Sequence, residues 1–465
     1  MLYSKLVDED IAYLRNLVGD EHILVGDEIL EDYAHDELGE ARAFPEVVVE
    51  PDSAQVISSI MEYAYLRKIP VTTRGSGTGL CGACVPLHGG ILLSTTRLNR
   101  ILEIDTDNLM ATVEPGVILL DFQETVEKQG FLYAPDPGEK SAPIGGNVAT
   151  NAGGMRALKY GVTRDHVTGM EVVLANGDIV NLGGKIAKNS SGYSLLHLMI
   201  GSEGTLGIIT KATVKLFPLP RKVLSLLVPY PSLEQAIGTV PKIIRSRLIP
   251  QAMEFMERDV ILSAEKYLGK QFPHKTAPAY LLLRFDGNSM AELEEIYEVA
   301  GHICLAEGAE DVLIADTLER QEGIWDARGA FLEALKAESE MDEVDVVVPR
   351  DQIAVFINYT KILEKQYGIR IRSFGHAGDG NMHVYILRDD MDKAVWQSKM
   401  QEVMEMLYAK GKDLGGQVSG EHGIGLSKRE FLREDLGDSL VALQRHIKQA
   451  LDPKHILNPG KVIAI

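Results

Sequence analysis

The spacing of apolar positions changes several times along the chain, and the first clear change lies between residues 51 and 96. In PDSAQVISSIMEYAYLRKIPVTTRG, Val56, Ile60 and Ala64 recur every four residues, which places them on one face of a helix. Asp52 and Gln55 have capping-box spacing, and Pro70 follows a helix predicted to end near Lys68. Val71 to Thr73 then reads as a short strand running into RGSGTGLCGAC, and ILLSTT as the next strand. ATVEPGV, MEVVLANGDIV and LGIITKATVKLF are further strands, punctuated by Gly or Asn-Gly turns.

After Pro218 and Pro220 the rhythm differs. AYLLLRFDG, DVLIAD and VDVVVP read as strands, set among long polar helices such as AELEEIYEVAGHICLAEG, LERQEGIWDARGAFLEALK and RDQIAVFINYTKILEKQYG. This predicts an antiparallel sheet with helices on one face, an α+β second domain. From about Ser427 the chain reads as helix to Leu451, then closes with DPKHILNPGKVI.

Glycine is densest in RGSGTGLCGAC, in PDPGEKSAPIGGNVATNAGGMRALKYG (135–161) and in SEGTLG (202–207). GTGLCG matches the dinucleotide fingerprint by letter, but Pro86 and Gly89-Gly90 stand where a helix must begin, and a strand follows. Glycine loops that bring backbone amides together point instead to a large anionic cofactor held through the main chain. Cys81 and Cys84 lack the helix start that lowers a thiol pKa, so they read as small residues tolerated in a tight loop.

A length of 465 residues suggests two domains, and a net charge of −20 argues against nucleic acid as a partner. Three cysteines make neither a disulfide framework nor an iron–sulfur site. With no apolar leader segment and no apolar run near the roughly 20 residues of a membrane span, a cytoplasmic protein without a span is expected.

FGHAGDGNMHVYIL holds His376 and His383, whose odd separation puts them on opposite faces of a continuous strand. They converge only if the Gly378-Asp379-Gly380 turn folds the chain back. With Glu421 and His422 of VSGEHGIG they form a candidate divalent-metal set, though each alone is better explained by structure. Arg328 lies in the apolar stripe of Ile324, Trp325, Leu332 and Leu335. Such an Arg either snorkels or, if buried, pairs with an anion, for which a carboxylate suits it.

Taken together, RGSGTG, PIGGNVATNAGG, KNSSGYSLLHLMIGSEGTLGIIT, GHAGDGNMH, SGEHGIG and LNPGK resemble the FAD-linked 2-hydroxyacid dehydrogenases of the vanillyl-alcohol-oxidase (PCMH-type) superfamily, in register from about residue 40 to 465. The resemblance implies a two-subdomain FAD-binding domain over 1–218, a cap domain over 219–415, and a segment 416–465 returning to the flavin domain. It places FAD, without a covalent link, against Arg74, Gly75, Ser76, Gly77, Thr78 and Gly79. Pro137, Gly138, Gly145, Gly146, Asn151, Gly153 and Gly154 would line more of it, with Tyr160 and Gly161. Gly207 and Ile209 would lie near the adenine half and Asn458 near the ring. It makes His376, His383 and Glu421 the ligands of zinc, iron or manganese, His422 the base, and Arg328 the clamp on the substrate carboxylate, with hydride passing to flavin N5.

Two departures bear on the substrate. Tyr385 stands where relatives acting on larger diacids have Asn, and Glu343, in the acidic run SEMDEVD, where they have Lys. A small D-2-hydroxy monocarboxylate, lactate before glycolate, is therefore expected. Within the resemblance, electrons leave to a partner protein, electron-transfer flavoprotein or an iron–sulfur subunit. The alternatives are an oxygen-using oxidase and a non-catalytic flavin-carrying electron-transfer subunit.

Overall fold

The computed structural model describes residues 3–37 and 41–463. The chain forms two compact units, one of residues 1–153, 162–219 and 421–465, the other of residues 154–161 and 220–420.

In the first unit, strands Ile23–Val25, Val47–Val49, Ile91–Ser94 and Val71–Arg74 form a sheet in that order, the last three parallel. The Ala54–Arg67 helix packs Ile57, Ile60, Met61 and Ala64 onto Val47, Val49, Val71 and Ile91. Its N-cap is Ser53, whose hydroxyl accepts from Val56 N at 3.4 Å, so the expected Asp52–Gln55 capping box is not what starts it. The shift comes from Ser53 being the last extended residue, at φ −153° and ψ 156°.

A second, five-stranded antiparallel sheet runs Ile101–Asp105, Met110–Val113, Ile208–Lys215, Val167–Val173, Ile179–Gly183. Phe122, Tyr133, Ile144 and Val148 fill its core. The closing helix, Arg429–Leu451, is two helical segments broken at Gly437 (φ 72°, ψ 166°), where a continuous helix was predicted. Near its end the Lys448 ammonium, 2% exposed, donates to Asp452 Oδ2, Thr205 O and Leu457 O at 2.6, 2.6 and 2.8 Å. Leu457 in turn bridges strand Val71–Arg74, with Val71 N donating to Ile456 O and Asn458 N to Val71 O, both at 2.8 Å.

The second unit is built on a seven-stranded, wholly antiparallel sheet, ordered Leu313–Ala315, Lys222–Tyr230, Ala279–Gly287, Ala252–Glu257, Arg370–His376, Asn381–Leu387, Met341–Val347. Helices cover both faces, not one. Arg258–Leu268, Leu318–Gly329 and Phe331–Glu338 pack with Met256, Leu282, Phe374 and Tyr385. On the opposite face Gly411, in helix Lys393–Asp413, meets Val346 so closely that a Cβ would lie 2.7 Å from its methyl. The reason is visible in Leu281, Leu282 and Leu283, consecutive and each 0% exposed, which only a sheet buried on both sides accommodates. The helix predicted through 318–336 breaks at Ala330 (φ −84°, ψ −1°). The short helix Ala157–Tyr160 belongs to this unit: Lys159 Nζ reaches Asp286 at 2.5 Å and the Tyr160 hydroxyl donates to the same carboxylate.

Candidate active site

In the first unit, strand Val71–Arg74 delivers the glycine loop to a cavity of about 350 Å³ lined by Gly75, Ser76, Thr95, Gly116, Val117 and Pro143. Two glycines of its wall, Gly75 and Gly116, have no room for a side chain, and nor has Gly145 in the following helix. A Cβ would lie 2.6 Å from Pro143 at Gly75, 2.4 Å from Thr95 O at Gly116, and 2.4 Å from Pro115 at Gly145. Arg74 braces the loop from behind, donating to His35 O at 2.7 Å and Cys84 Sγ at 3.2 Å, and its guanidinium fills the space beside Gly77 (φ 81°). Three buried polar atoms around these loops, Thr73 Oγ1, Asn147 Nδ2 and Asn458 Oδ1, have no hydrogen-bond partner in the protein. Close-packed glycine loops, with orphaned donors and acceptors on the same and neighbouring elements, fit a large polar cofactor such as FAD.

The other expected cofactor residues divide. Gly146 is next to Gly145 in helix Ile144–Thr150, and Asn151 is that helix's left-handed C-cap, its Oδ1 accepting from Arg164 N at 2.9 Å. Thr78, Pro137 and Gly138 do not line the cavity, and nor does Gly79, whose carbonyl accepts from Glu37 N at 3.1 Å. Gly207 lacks a side chain because a Cβ would meet Val172 at 2.4 Å, and Ile209 is core. Gly154, Tyr160 and Gly161 lie in the segment that belongs to the second unit. Asn458 (φ 40°) donates through Nδ2 to Ala83 O and Glu203 O, at 2.8 and 2.7 Å. Asn147, which the sequence reading passed over, carries one of the orphaned atoms.

The loop bearing Glu421 and His422 sits in a socket of the same unit. Glu203, in left-handed backbone (φ 52°), accepts from Ile424 N at 2.8 Å and Gly425 N at 2.7 Å. Cys81 Sγ donates to His422 O at 3.3 Å, and Cys81 O accepts from Leu426 N and Ser427 N at 2.7 and 3.2 Å. Gly153 has no side chain to keep it from Glu421, whose Oε2 would lie 2.7 Å from a Cβ there. Burial pushes the Glu203 carboxyl and the Cys81 thiol above their ordinary ranges. Glu203 is a residue the sequence reading missed; its only signal was an acid inside a glycine loop.

In the second unit the chain turns back between His376 and Asn381, and Gly380 (φ 93°) permits it, since a Cβ would lie 2.0 Å from Val348 O. Register pairs His376 with Asn381 and Phe374 with His383, so both histidines share one sheet face, their rings 5.4 Å apart and perpendicular at 89°. Each is flanked by a carboxylate. His376 Nδ1 is 2.8 and 3.0 Å from the two oxygens of Glu254, its cross-strand partner, and His383 Nδ1 is 3.2 Å from Glu343 Oε1. His376, held through Nδ1, presents Nε2, the arrangement typical of metal ligands.

Arg328 is 7% exposed and lies over Phe374, 4.7 Å from the ring centre. The anion it meets is Glu254, whose Oε2 takes Nε at 2.9 Å and Nη2 at 2.6 Å. Burial alone would raise the Glu254 carboxyl, but His376 and Arg328 outweigh it and hold it below the usual range. Tyr385 is pushed well up by burial and then by Glu343 beside it. Neither Glu254 nor the pairing of Glu343 with His383 was foreseen; the one sequence hint for Glu254 is an acid at an inward position of the apolar strand AMEFME.

Comparison with known proteins gives a consistent result. Residues 45–183 match a family model described as an FAD binding domain, and residues 219–462 one described as FAD linked oxidases, C-terminal domain. A D-lactate dehydrogenase of Anaerostipes hadrus is 49% identical over 99% of this chain and 98% of its own length. Glycolate oxidase subunit GlcD of Bacillus subtilis is 41% identical over 93% and 92%. Among solved structures, p-cresol methylhydroxylase superposes with a TM-score of 0.79 at 17% identity, covering 99% of this chain and 98% of that one, a likeness of fold.

Proposed function

The chain belongs to the FAD-linked oxidases of the vanillyl-alcohol-oxidase superfamily, and on that premise we propose that it oxidises D-lactate to the 2-oxo acid, with glycolate as the next substrate. The observation that carries this reading is near-full-length similarity, at 49% and 42% identity, to two proteins named D-lactate dehydrogenase. When bound, FAD supplies the acceptor for two electrons with the α-hydrogen, and a divalent ion supplies Lewis acidity at the α-hydroxyl.

The remaining steps fall to side chains. His376, His383 and Glu421 would hold the ion. His422 takes the hydroxyl proton. Arg328 orients the substrate carboxylate, and its pairing with Glu254 leaves the Nη1/Nη2 edge for that contact. Glu343 and Asp345, on the same sheet face as His383 and Tyr385, put negative charge where a second substrate carboxylate would come, which favours a monocarboxylate. Electrons then pass to a partner protein, with electron-transfer flavoprotein the first choice.

The test is anaerobic titration of the flavin spectrum of the holoenzyme with D-lactate, L-lactate, glycolate and D-glycerate. D-lactate should bleach the flavin, and chelator treatment should slow the bleaching with recovery on adding Mn²⁺ or Zn²⁺. A flavin that none of the four acids reduces would leave only the non-catalytic carrier. Peroxide release at the rate of turnover would replace the partner protein with oxygen.

A further inference from the structure

Glu254 is a fully enclosed acid of the second unit's sheet, 0% exposed, and it belongs to no predicted ligand or substrate set. One carboxylate there serves two side chains from different elements. Strand register puts it directly across from His376, and helix Leu318–Gly329 brings Arg328 to it. It accepts His376 Nδ1 at 2.8 Å and the Nε and Nη2 of Arg328 at 2.9 and 2.6 Å.

We propose that Glu254 is the positioning residue of the reaction, fixing the His376 tautomer and the Arg328 edge in a single contact. This rests on the hydroxy-acid reading above. The physical case has two parts. A carboxylate accepting from Nδ1 requires the proton there, so the Nε2 lone pair is available to a cation. The side-on face of the guanidinium is spent on Glu254, so a substrate carboxylate is received end-on, in one orientation. Shifting Glu254 therefore shifts the ligand and the clamp together, which neither residue alone would do.

The experiment uses the FAD-loaded full chain stripped of divalent metal, titrated with Co²⁺ and followed by visible absorption and calorimetry, alongside steady-state kinetics with D-lactate. Glu254→Gln should weaken Co²⁺ binding about tenfold or more, raise KM for D-lactate and lower kcat, with flavin content unchanged. Arg328→Lys should raise KM while leaving Co²⁺ affinity within about threefold, since it removes only one of the two contacts. A second measurement needs no variant: ¹⁵N spectra of histidine-labelled wild-type protein should show His376 protonated on Nδ1. Co²⁺ affinity equal in Glu254→Gln and wild type, or a wild-type His376 protonated on Nε2, overturns the proposal. The tautomer measurement involves neither metal nor substrate, so it separates failure of this inference from failure of the proposed function.

Discussion

Gly425 offers a sharp test of the socket around the Glu421–His422 loop. At φ 49° a Cβ there would lie 2.1 Å from Cys81 O and 2.7 Å from Cys81 Sγ. The carbonyl cannot retreat freely, because Leu426 N and Ser427 N both donate to it. Gly425→Ala therefore costs about 1–2 kcal/mol for left-handed backbone and about 0.5–1.5 kcal/mol for each hydrogen bond given up. The sum, roughly 2–5 kcal/mol, should lower the unfolding midpoint by about 5–15 °C for a unit of this size. His422 is three residues away and its carbonyl is held by the same Cys81, so turnover should suffer as well. A displacement near 1 Å costs about 100-fold. The assays are calorimetric unfolding and kcat/KM with D-lactate. Gly130→Ala is the control: φ is 84° but nothing lies within 4 Å, so it should cost only the backbone portion and leave kcat/KM alone. Wild-type midpoint and turnover in Gly425→Ala would refute the socket.

Three further outcomes are expected. Because burial raises the Glu203 pKa, the native state holds its proton more tightly than the unfolded chain; the associated stability is full below about pH 4.3 and lost as pH rises through the higher folded value. Urea unfolding across that range should therefore fall more steeply in wild type than in Glu203→Gln, and parallel curves would contradict it. Burial raises both the Cys81 and Cys84 thiols, Cys84 despite Arg74 beside it, so iodoacetamide at pH 8 should label the native protein slowly. Cys81→Ser and Cys84→Ser should keep kcat/KM within about tenfold, or roughly 1.4 kcal/mol; complete labelling within minutes would be the contrary result. Asp286→Ala removes the acceptor of Lys159 and Tyr160 and should open residues 154–161 to trypsin, whereas an unchanged digestion pattern would show that the helix is held otherwise.

What sequence made legible was local. The Gly378–Gly380 turn announces itself by composition, and it alone decides that His376 and His383 share a face. The glycine loops likewise show their close backbone packing in their letters. Long-range partners left no such mark: Glu254 finds His376 at a separation of 122 residues, and Glu203 finds Ile424 at 221. Burial of Arg328 implied an anion without saying which. Elsewhere competing signals misled. Asp52 and Ser53 are both good caps and the chain uses the second; Leu281 to Leu283 encode a two-sided sheet, which an alternating template does not anticipate.

The backbone bridge between Val71 and Leu457 has a consequence for how the protein is made. The strand that carries the cofactor loop is bridged by residues synthesised after the second unit's main segment, 220–420, which is contiguous. At roughly 5–20 residues per second, strand Val71–Arg74 waits about 10–40 s for that segment to leave the ribosome before Leu457 can bridge it. The core around Val71 lacks Ile456 and Leu457 meanwhile. Expression yield should therefore respond to chaperone supply and to the translation speed of the middle of the message, even for variants whose finished structure is unchanged.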